Sequence, residues 1–228
     1  MGEKQRVAIK RLLLAAGGKT PSSILRCYGL TAAWIEMGRW MRDRFGSPTS
    51  HLATREEIFD LVGRDVAEKR VLYLEFGVYR GESIKYWSQL LRNPASALHG
   101  FDSFEGLPES WNEDTPKGRF STAGQVPDVS DRRVEFFVGW FEDTLPRYVP
   151  PPHDILVINI DADLYSSAKF VLQQLKSMIS VGTWIYFDEF FTAQHEFRAF
   201  REFVEDTGIQ FEAVAESNCS GIAFRRIA

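Results

Sequence analysis

The chain has 228 residues, of which 44% are hydrophobic and 25% charged, and its formal net charge is -4. This length accommodates one sizeable α/β domain with an appendage rather than two full domains. The acidic balance argues against a nucleic-acid-binding surface, which needs clustered Lys and Arg. No apolar run reaches the roughly 18 residues that span a bilayer. We therefore expect a cytoplasmic protein without nucleic-acid or membrane partners.

Residues 1–69 are predicted to form a helical N-terminal appendage without strands. Apolar residues recur at helical spacing over 24–44, which predicts one helix. A second helix is predicted from Thr54, because Glu57 follows at the capping-box spacing. Residues 46–50 form a loop by composition. The appendage would act as a lid or as an oligomerisation surface, so a homo-oligomer is left open.

Strands and helices alternate from Val71 onward, which predicts a parallel sheet with helices on both faces over residues 70–228. The last two strands are joined by a turn too short for a parallel crossover, so one of them is antiparallel. The fold expected is a seven-stranded, mostly parallel, Rossmann-like sheet. Its strands are Val71–Phe76, Leu98–Asp102, Val134–Val138, Ile155–Ile160, Thr183–Phe187, Phe211–Ala215 and Gly221–Arg225. Its helices are Glu82–Leu91, Phe141–Tyr148, Ser166–Met178 and His195–Glu205.

The first strand ends in a turn with Glu75, Gly77 and Gly81, which lets the backbone approach a nucleoside ligand. The spacing lacks the G-x-G-x-x-G that seats a pyrophosphate, so the ligand need not carry phosphates. S-adenosylmethionine fits, with Glu75 near its amino or sulfonium group. Asp102, which closes the next strand, is placed to bind the ribose. Plain packing geometry is the competing interpretation of the glycine turn.

Two further strands end in acidic residues, Asp161 with Asp163 and Asp188 with Glu189. These two strands are expected to be neighbours, so the carboxylates would meet and would need a positive partner. A hard divalent cation such as Mg2+ takes oxygen ligands of this kind and could lower the pKa of a substrate hydroxyl. For Asp163 the alternative is an ordinary helix N-cap.

A long segment, Ser103–Asp131, follows the strand that ends in Asp102 and is rich in Gly and Pro. Loops of this length in compact domains are usually lids or binding loops. We expect this segment to cover the ligand or to help form the acceptor pocket.

Five motifs occur in order between about residues 72 and 190: EFGVYRGES, GFDSFEGLPE, GWFEDTLP, NIDADLYSS and the acidic pair in YFDEF. Together they resemble the macrocin/mycinamicin sugar O-methyltransferases, a family of class I S-adenosylmethionine-dependent enzymes. The resemblance implies that the methionine portion of the donor is held by Glu75, Gly77, Tyr79 and Gly81. It also implies that the ribose is bound by Asp102 with Ser103 beside it, and that the adenine is flanked by Gly139, Trp140 and Phe141.

The same resemblance implies a metal site formed by Asp161, Asp188 and Glu189. Here the chain departs from the family, which commonly has two consecutive Asp where this sequence has Asp188 and Glu189. For Trp140 and Phe141 the alternative is core packing.

We expect an O-methyltransferase that moves a methyl group from S-adenosylmethionine to a hydroxyl of a sugar or another diol-bearing small molecule, assisted by Mg2+. Asp161 would be catalytic, and His195 is the candidate general base by position, although it could simply open the helix that follows. The alternatives are a catechol-like phenol O-methyltransferase and a non-catalytic nucleoside-binding module. A nicotinamide oxidoreductase is disfavoured by the missing third glycine.

Overall fold

The computed structural model describes residues 2–46, 50–112 and 114–228, which form two compact units, Met1–Asp43 and Arg44–Ala228. The first unit holds helix α1 (Glu3–Gly17) and most of helix α2 (Ser22–Phe45). The helix predicted over 24–44 is confirmed. Within the described part of the chain, every helix is too short or too polar to cross a bilayer.

The second unit is built on an eight-stranded sheet in the order β1-β7-β8-β6-β5-β2-β3-β4. Only β8 is antiparallel to its neighbours among the described strands. All seven predicted strands are present, with ends shifted by two residues at most, and the mostly parallel fold is confirmed. The strands are β1 (Ser50–Leu52), β2 (Val71–Phe76), β3 (Ala97–Asp102), β4 (Val134–Val138), β5 (Ile155–Ile160), β6 (Trp184–Phe187), β7 (Phe211–Ser217) and β8 (Gly221–Arg226).

Strand β1 was not predicted, and it lies in the segment expected to be free of strands. It is the edge strand of the sheet and pairs with β7 over three residues, which is too short to show an alternating apolar pattern. Residues 47–49 of the predicted loop lie outside the described residues, and Ser50 belongs to β1.

Helix α3 (Arg55–Val66) also belongs to the second unit, which begins at Arg44 rather than at residue 70. Thr54 caps it as predicted, because its Oγ1 accepts a hydrogen bond from the Glu57 N–H at 3.3 Å. Its apolar stripe, including Ile58 and Phe59, is part of the domain core.

Helices cover both faces of the sheet. On one face α3 and α4 (Glu82–Leu90) pack through Phe59 and Trp87 against β2 and β6. On the other face α7 (Glu196–Thr207) places Phe200 against Phe187 of β6, and α6 (Tyr165–Leu175) packs along α7. The helix predicted over Phe141–Tyr148 is α5 (Phe141–Thr144) followed by a 3-10 turn, because Pro146 lacks an amide hydrogen.

The chain order reverses between β2 and β5, which are adjacent although β3 and β4 come between them in sequence. Ligands of open α/β sheets bind beyond the carboxyl ends of the strands at such a switch point. The fold therefore locates the candidate site at the ends of β2 and β5.

Candidate functional site

A cavity of about 310 Å3 lies at this switch point and receives residues from the turns after β2, β3, β4, β5 and β6. Nine predicted site residues line it: Gly77, Tyr79, Asp102, Ser103, Trp140, Phe141, Asp161, Asp188 and Glu189. Four predicted site residues are not among those that line it: Glu75, Gly81, Gly139 and His195. The structure thus brings the predicted donor-type residues and the predicted acidic residues to one cavity.

The turn after β2 approaches β5 so closely that only glycine fits at position 77. Gly77 has φ +90°, and a Cβ built there would lie 1.9 Å from the backbone oxygen of Asp161. Tyr79 also has a positive φ of 51°. A turn this strained needs support from its surroundings.

Asp102 provides that support. Its Oδ2 accepts hydrogen bonds from the backbone N–H groups of Val78 and Tyr79 at 2.8 Å each, and its Oδ1 accepts one from Phe104 at 2.7 Å. The carboxylate predicted to bind the ribose therefore also fixes the turn after β2 from the end of β3.

Glu75 lies one row below the cavity and is only 1% exposed. The Tyr73 hydroxyl donates to its Oε2 at 2.6 Å, and the Asn159 amide donates to the same hydroxyl at 3.0 Å. Burial raises the pKa of Glu75 to about 8, although these two neighbours act to lower it. In this structure Glu75 supports the site from beneath, and its contact with a ligand stays a prediction.

The acidic side chains at the ends of β5 and β6 perturb one another. Burial, followed by repulsion from Asp188, raises the pKa of Asp161 well above its ordinary value. Burial and the nearby charges of Glu189 and Asp188 raise the pKa of Asp163 to about 7. In both groups burial is the larger cause of the raised pKa, and the neighbouring carboxylates add to it.

Asp163 has φ +59° and is nearly buried beside the cavity. Helix α6 begins after Leu164, which is its N-cap residue, and no side chain caps it. The alternative that Asp163 is an ordinary N-cap is therefore wrong. A non-glycine residue in this conformation is typical of a functional constraint.

Glu196 was not predicted as a site residue. It is fully buried, its Oε1 accepts from the Ala162 N–H at 3.2 Å, and its Oε2 accepts from the Glu189 N–H at 3.2 Å. One side chain thus ties the turn after β5 to the turn after β6. Its spacing in the sequence could have indicated that it is buried, because Glu196 lies four residues before Phe200 and therefore on the apolar face of α7.

His195 contacts the site only indirectly. Its ring packs edge-on against Trp111, which lines the cavity, with 6.1 Å between the ring centroids. Its buried Nδ1 has no hydrogen-bond partner in the described part of the chain, and burial lowers its pKa. Its role as a general base stays a prediction.

The segment predicted to cover the ligand, Ser103–Asp131, is described except for residue 113 and forms a flap that folds back on itself. Gly106 has φ +85°, and a Cβ there would lie 2.4 Å from the Arg119 oxygen. The Leu107 N–H donates to that oxygen at 2.9 Å. Besides Ser103, which was predicted, five further flap residues line the cavity: Gly106, Leu107, Pro108, Trp111 and Phe120.

The carboxylate oxygens of Asp161, Asp188 and Glu189 are the ligands that a hard divalent cation prefers. Among residues 2–46, 50–112 and 114–228, however, no three His, Cys, Asp or Glu side chains are placed to share a metal ion. The donor chemistry fits Mg2+, but these side chains would have to move to converge on it.

Comparison with known proteins finds relatives whose names describe O-methyltransferases. The chain is 31% identical to an 8-demethyl-8-(2,3-dimethoxy-alpha-L-rhamnosyl)-tetracenomycin-C 4'-O-methyltransferase of Streptomyces olivaceus, over 51% of this chain and 52% of that protein. It is 29% identical to demethyldecarbamoylnovobiocin O-methyltransferase of Streptomyces niveus, over 60% and 58%. Mycinamicin III 3''-O-methyltransferase of Micromonospora griseorubida is 27% identical over 68% of each chain. The matches thus span only about half of the length of the first two curated relatives.

Among solved structures, the O-methyltransferase NovP superposes with a TM-score of 0.62 at 26% identity, over 76% of this chain and 80% of that one. The calicheamicin methyltransferase CalS11 gives 0.60 at 22% identity, over 75% and 77%, which shows the fold alone. The sequence model of the family described as Macrocin-O-methyltransferase (TylF) matches residues 62–226, well over half of the chain. The chain therefore belongs to the TylF macrocin-O-methyltransferase family.

Proposed function

We propose that the protein is an S-adenosylmethionine-dependent O-methyltransferase that acts on a hydroxyl of a sugar or of a glycosylated small molecule. The observation that carries this proposal is that Gly77, Asp102 and Asp161 line the same cavity. It joins a turn suited to a nucleoside donor with carboxylates suited to a hydroxyl acceptor. The names of the relatives support it, since they describe O-methyltransferases of a rhamnosyl tetracenomycin, a novobiocin precursor and mycinamicin III.

On the donor side, the close approach of Gly77 to β5 leaves backbone rather than side chain facing the ligand. Asp102 keeps lone pairs beyond the three backbone hydrogen bonds it accepts, and these would receive the ribose hydroxyls. Trp140 and Phe141 would flank the adenine, and Phe141 is held edge-on against Phe76 with 5.5 Å between the ring centroids.

On the acceptor side, the protein's task is to align the hydroxyl and to take its proton. S-adenosylmethionine supplies the methyl group, which forms the new O–CH3 bond as the S–CH3 bond breaks and S-adenosylhomocysteine leaves. We assign the proton to Asp161, which lines the cavity at the end of β5. Burial and the charge of Asp188 raise its pKa, so it accepts a proton only while a positive charge in the site, such as the donor's sulfonium, keeps it ionised.

We further propose that Asp161, Asp188 and Glu189 hold a Mg2+ ion during turnover. Such an ion would polarise the acceptor hydroxyl and lower its pKa. Support comes from the donor chemistry and from the mutual repulsion of these carboxylates, which raises the pKa values of Asp161 and Glu189 in addition to the effect of burial. The N-terminal unit would serve as a lid or an oligomerisation surface, because its helices expose large apolar side chains such as those of Leu14, Tyr28 and Ile35.

A catechol-like phenol is the second candidate acceptor, because aromatic residues line much of the cavity. Tyr79, Trp111 and Phe120 would stack on a planar ring as readily as on a sugar face.

The test combines binding with turnover. Calorimetric titration should show binding of S-adenosylmethionine and S-adenosylhomocysteine but not of NAD. Methyl transfer should then be measured on rhamnosyl glycosides and on catechols, with and without a chelator. We expect Asp161→Asn to lose at least about 100-fold in kcat, since it removes the proton acceptor. The control Asp128→Asn, an exposed flap residue, should retain activity. Binding of NAD alone, or full activity of Asp161→Asn, would contradict the proposal.

A further inference from the structure

Arg55 occupies a position that local helix preference does not explain. It is the first residue of α3, where the helix dipole disfavours a cation. Its side chain is 29% exposed and turns toward three carboxylates. Its Nε lies 3.2 Å from Glu56 Oε1, its Nη2 lies 3.3 Å from Glu82 Oε2, and its Nη1 lies 3.8 Å from Asp188 Oδ1.

The charge of Arg55 reaches the acidic residues of the proposed site. Burial lowers the pKa of Arg55, but attraction to Asp188 and Asp161 and a hydrogen bond to Glu56 outweigh it and raise that pKa. Arg55 also lowers the pKa of Glu75 against the larger effect of burial. One guanidinium therefore acts on β2, β5 and β6 together.

The three strands present these groups in two rows on one face. Strand pairing sets Glu75 beside Asn159 and Asn159 beside Tyr186 in the lower row. Gly77, Asp161 and Asp188 each come two residues after a member of the lower row, directly after the ends of β2, β5 and β6. They form the upper row at the cavity. Residues two apart on a strand share a face. The lower row is buried and polar, and Arg55 carries a positive charge beside both rows.

The Tyr186 hydroxyl makes a closer contact with Asp188 than Arg55 does. The Tyr186 hydroxyl donates to Asp188 Oδ1 at 2.8 Å, and Arg55 faces the same oxygen at 3.8 Å. Both contacts fall on Oδ1, so Oδ2 is the oxygen left for the cavity. The contribution of Arg55 to Asp188 is thus mainly charge, whereas Tyr186 supplies the direction.

We infer that the resident positive charge of Arg55 sets how tightly Asp161, Asp188 and Glu189 bind a divalent cation. This inference rests on the proposed function, since it concerns the same carboxylates. The residues matched by the family's sequence model begin at 62, so Arg55 lies outside them. Removing the guanidinium deepens the negative potential at the carboxylates and should strengthen cation binding.

The experiment titrates Mn2+, a spectroscopic probe of Mg2+ sites, into the whole protein without methyl donor. Bound Mn2+ is followed by electron paramagnetic resonance in wild type, Arg55→Gln and Arg55→Lys. We expect Arg55→Gln to bind about tenfold more tightly. Arg55→Lys keeps the charge and should resemble wild type. Lys69→Gln removes the same charge at a surface ion pair with Asp65 and should also resemble wild type.

The outcomes separate the inference from the proposed function. Asp161→Asn should abolish Mn2+ binding if the carboxylates are the ligands. Unchanged Mn2+ affinity in Arg55→Gln, with Asp161→Asn still abolishing binding, would overturn the inference and leave the proposed function standing. Equal effects of Arg55→Gln and Arg55→Lys would indicate a structural role and would also overturn it. If neither the wild type nor any variant bound Mn2+, the metal site and the inference would both be rejected. Methyl transfer measured in the presence of chelator would then still test the proposed methyltransferase activity.

Discussion

At the scale of single residues, the site depends on side chains that hold backbone as much as on side chains that face the ligand. Asp102 fixes the turn after β2 through two N–H groups, and Glu196 joins the turns after β5 and β6. A buried backbone N–H that loses its hydrogen bond is costly, so these contacts hold the turns in place. The spacing of Asp161 and Asp188 is thus maintained by a residue that does not line the cavity.

Glu196→Gln tests this arrangement. The amide keeps one acceptor oxygen but turns its NH2 group toward the other backbone N–H, so one of the two turns is released. We expect kcat to fall about tenfold while the protein remains folded, since one buried backbone N–H loses its hydrogen bond. Steady-state methyl transfer and the thermal midpoint check this.

The matched control is Glu202→Gln, which lies on the same helix and loses only its ion pairs with Lys169 and Arg198. If both variants had the same kcat as wild type, the bridge by Glu196 would be dispensable.

Sequence reasoning found the residues that line the cavity better than those that support it. Gly77, Asp102, Asp161 and Asp188 stand at strand ends, where position alone implies a ligand. Glu75 also stands near a strand end, yet the alternation of side chains along β2 buries it in the layer with Tyr73 and Asn159. Whether an acid faces a cavity or a core depends on which elements cover that face, and this is a tertiary property.

At the scale of elements, long apolar strands were predictable and short edge elements were not. Strands β2 and β5 are six residues long and buried over all or nearly all of their length. Their mostly apolar sequences predict a buried strand. Strand β1 contributes only three residues at the sheet edge, and α3 joins the core although it precedes the first predicted strand. Their assignment depends on pairing with β7 and packing on Trp87, which are contacts distant in sequence.

The flap is the element that we expect to select the acceptor. Trp111 lines the cavity and packs against His195 rather than against the residues after β2. We therefore expect Trp111→Ala to raise the acceptor KM about tenfold through lost aromatic contact area. The Kd for S-adenosylhomocysteine should stay unchanged.

The measurement is a pair of titrations, acceptor-dependent turnover and calorimetric binding of S-adenosylhomocysteine, so donor binding serves as the internal control. Leu107→Ala removes a flap side chain that is more buried and lines the same cavity, and it tests whether loosening the flap alone has the same result. A parallel loss of donor affinity in Trp111→Ala would place Trp111 on the donor side instead.

At the scale of the whole molecule, the buried acids make stability depend on pH. Glu75 has an ordinary pKa of 4.5 and a folded-state value of about 8, and the value for Asp163 is about 7. The folded protein therefore holds protons that the unfolded chain releases between these values. The stabilisation is fully present below the unfolded pKa and is lost as pH rises through the folded one, so the free energy of unfolding should fall from pH 5 to 8.5.

Glu75→Gln isolates the part of this pH dependence of stability that is due to Glu75. The amide keeps an acceptor for the Tyr73 hydroxyl but cannot lose a proton, so the variant should show a smaller fall across this range. The difference in the free energy of unfolding between variant and wild type should grow by roughly 4 kcal/mol from pH 5 to pH 8.5, because this range covers most of the interval between the two pKa values of Glu75. Denaturant unfolding at pH 5 and pH 8.5 measures it, with the exposed Glu68→Gln as control. An equal fall in Glu75→Gln and wild type would show that the pKa of Glu75 is not raised in the folded protein, and the hydrogen bond from Tyr73 would then be the first explanation.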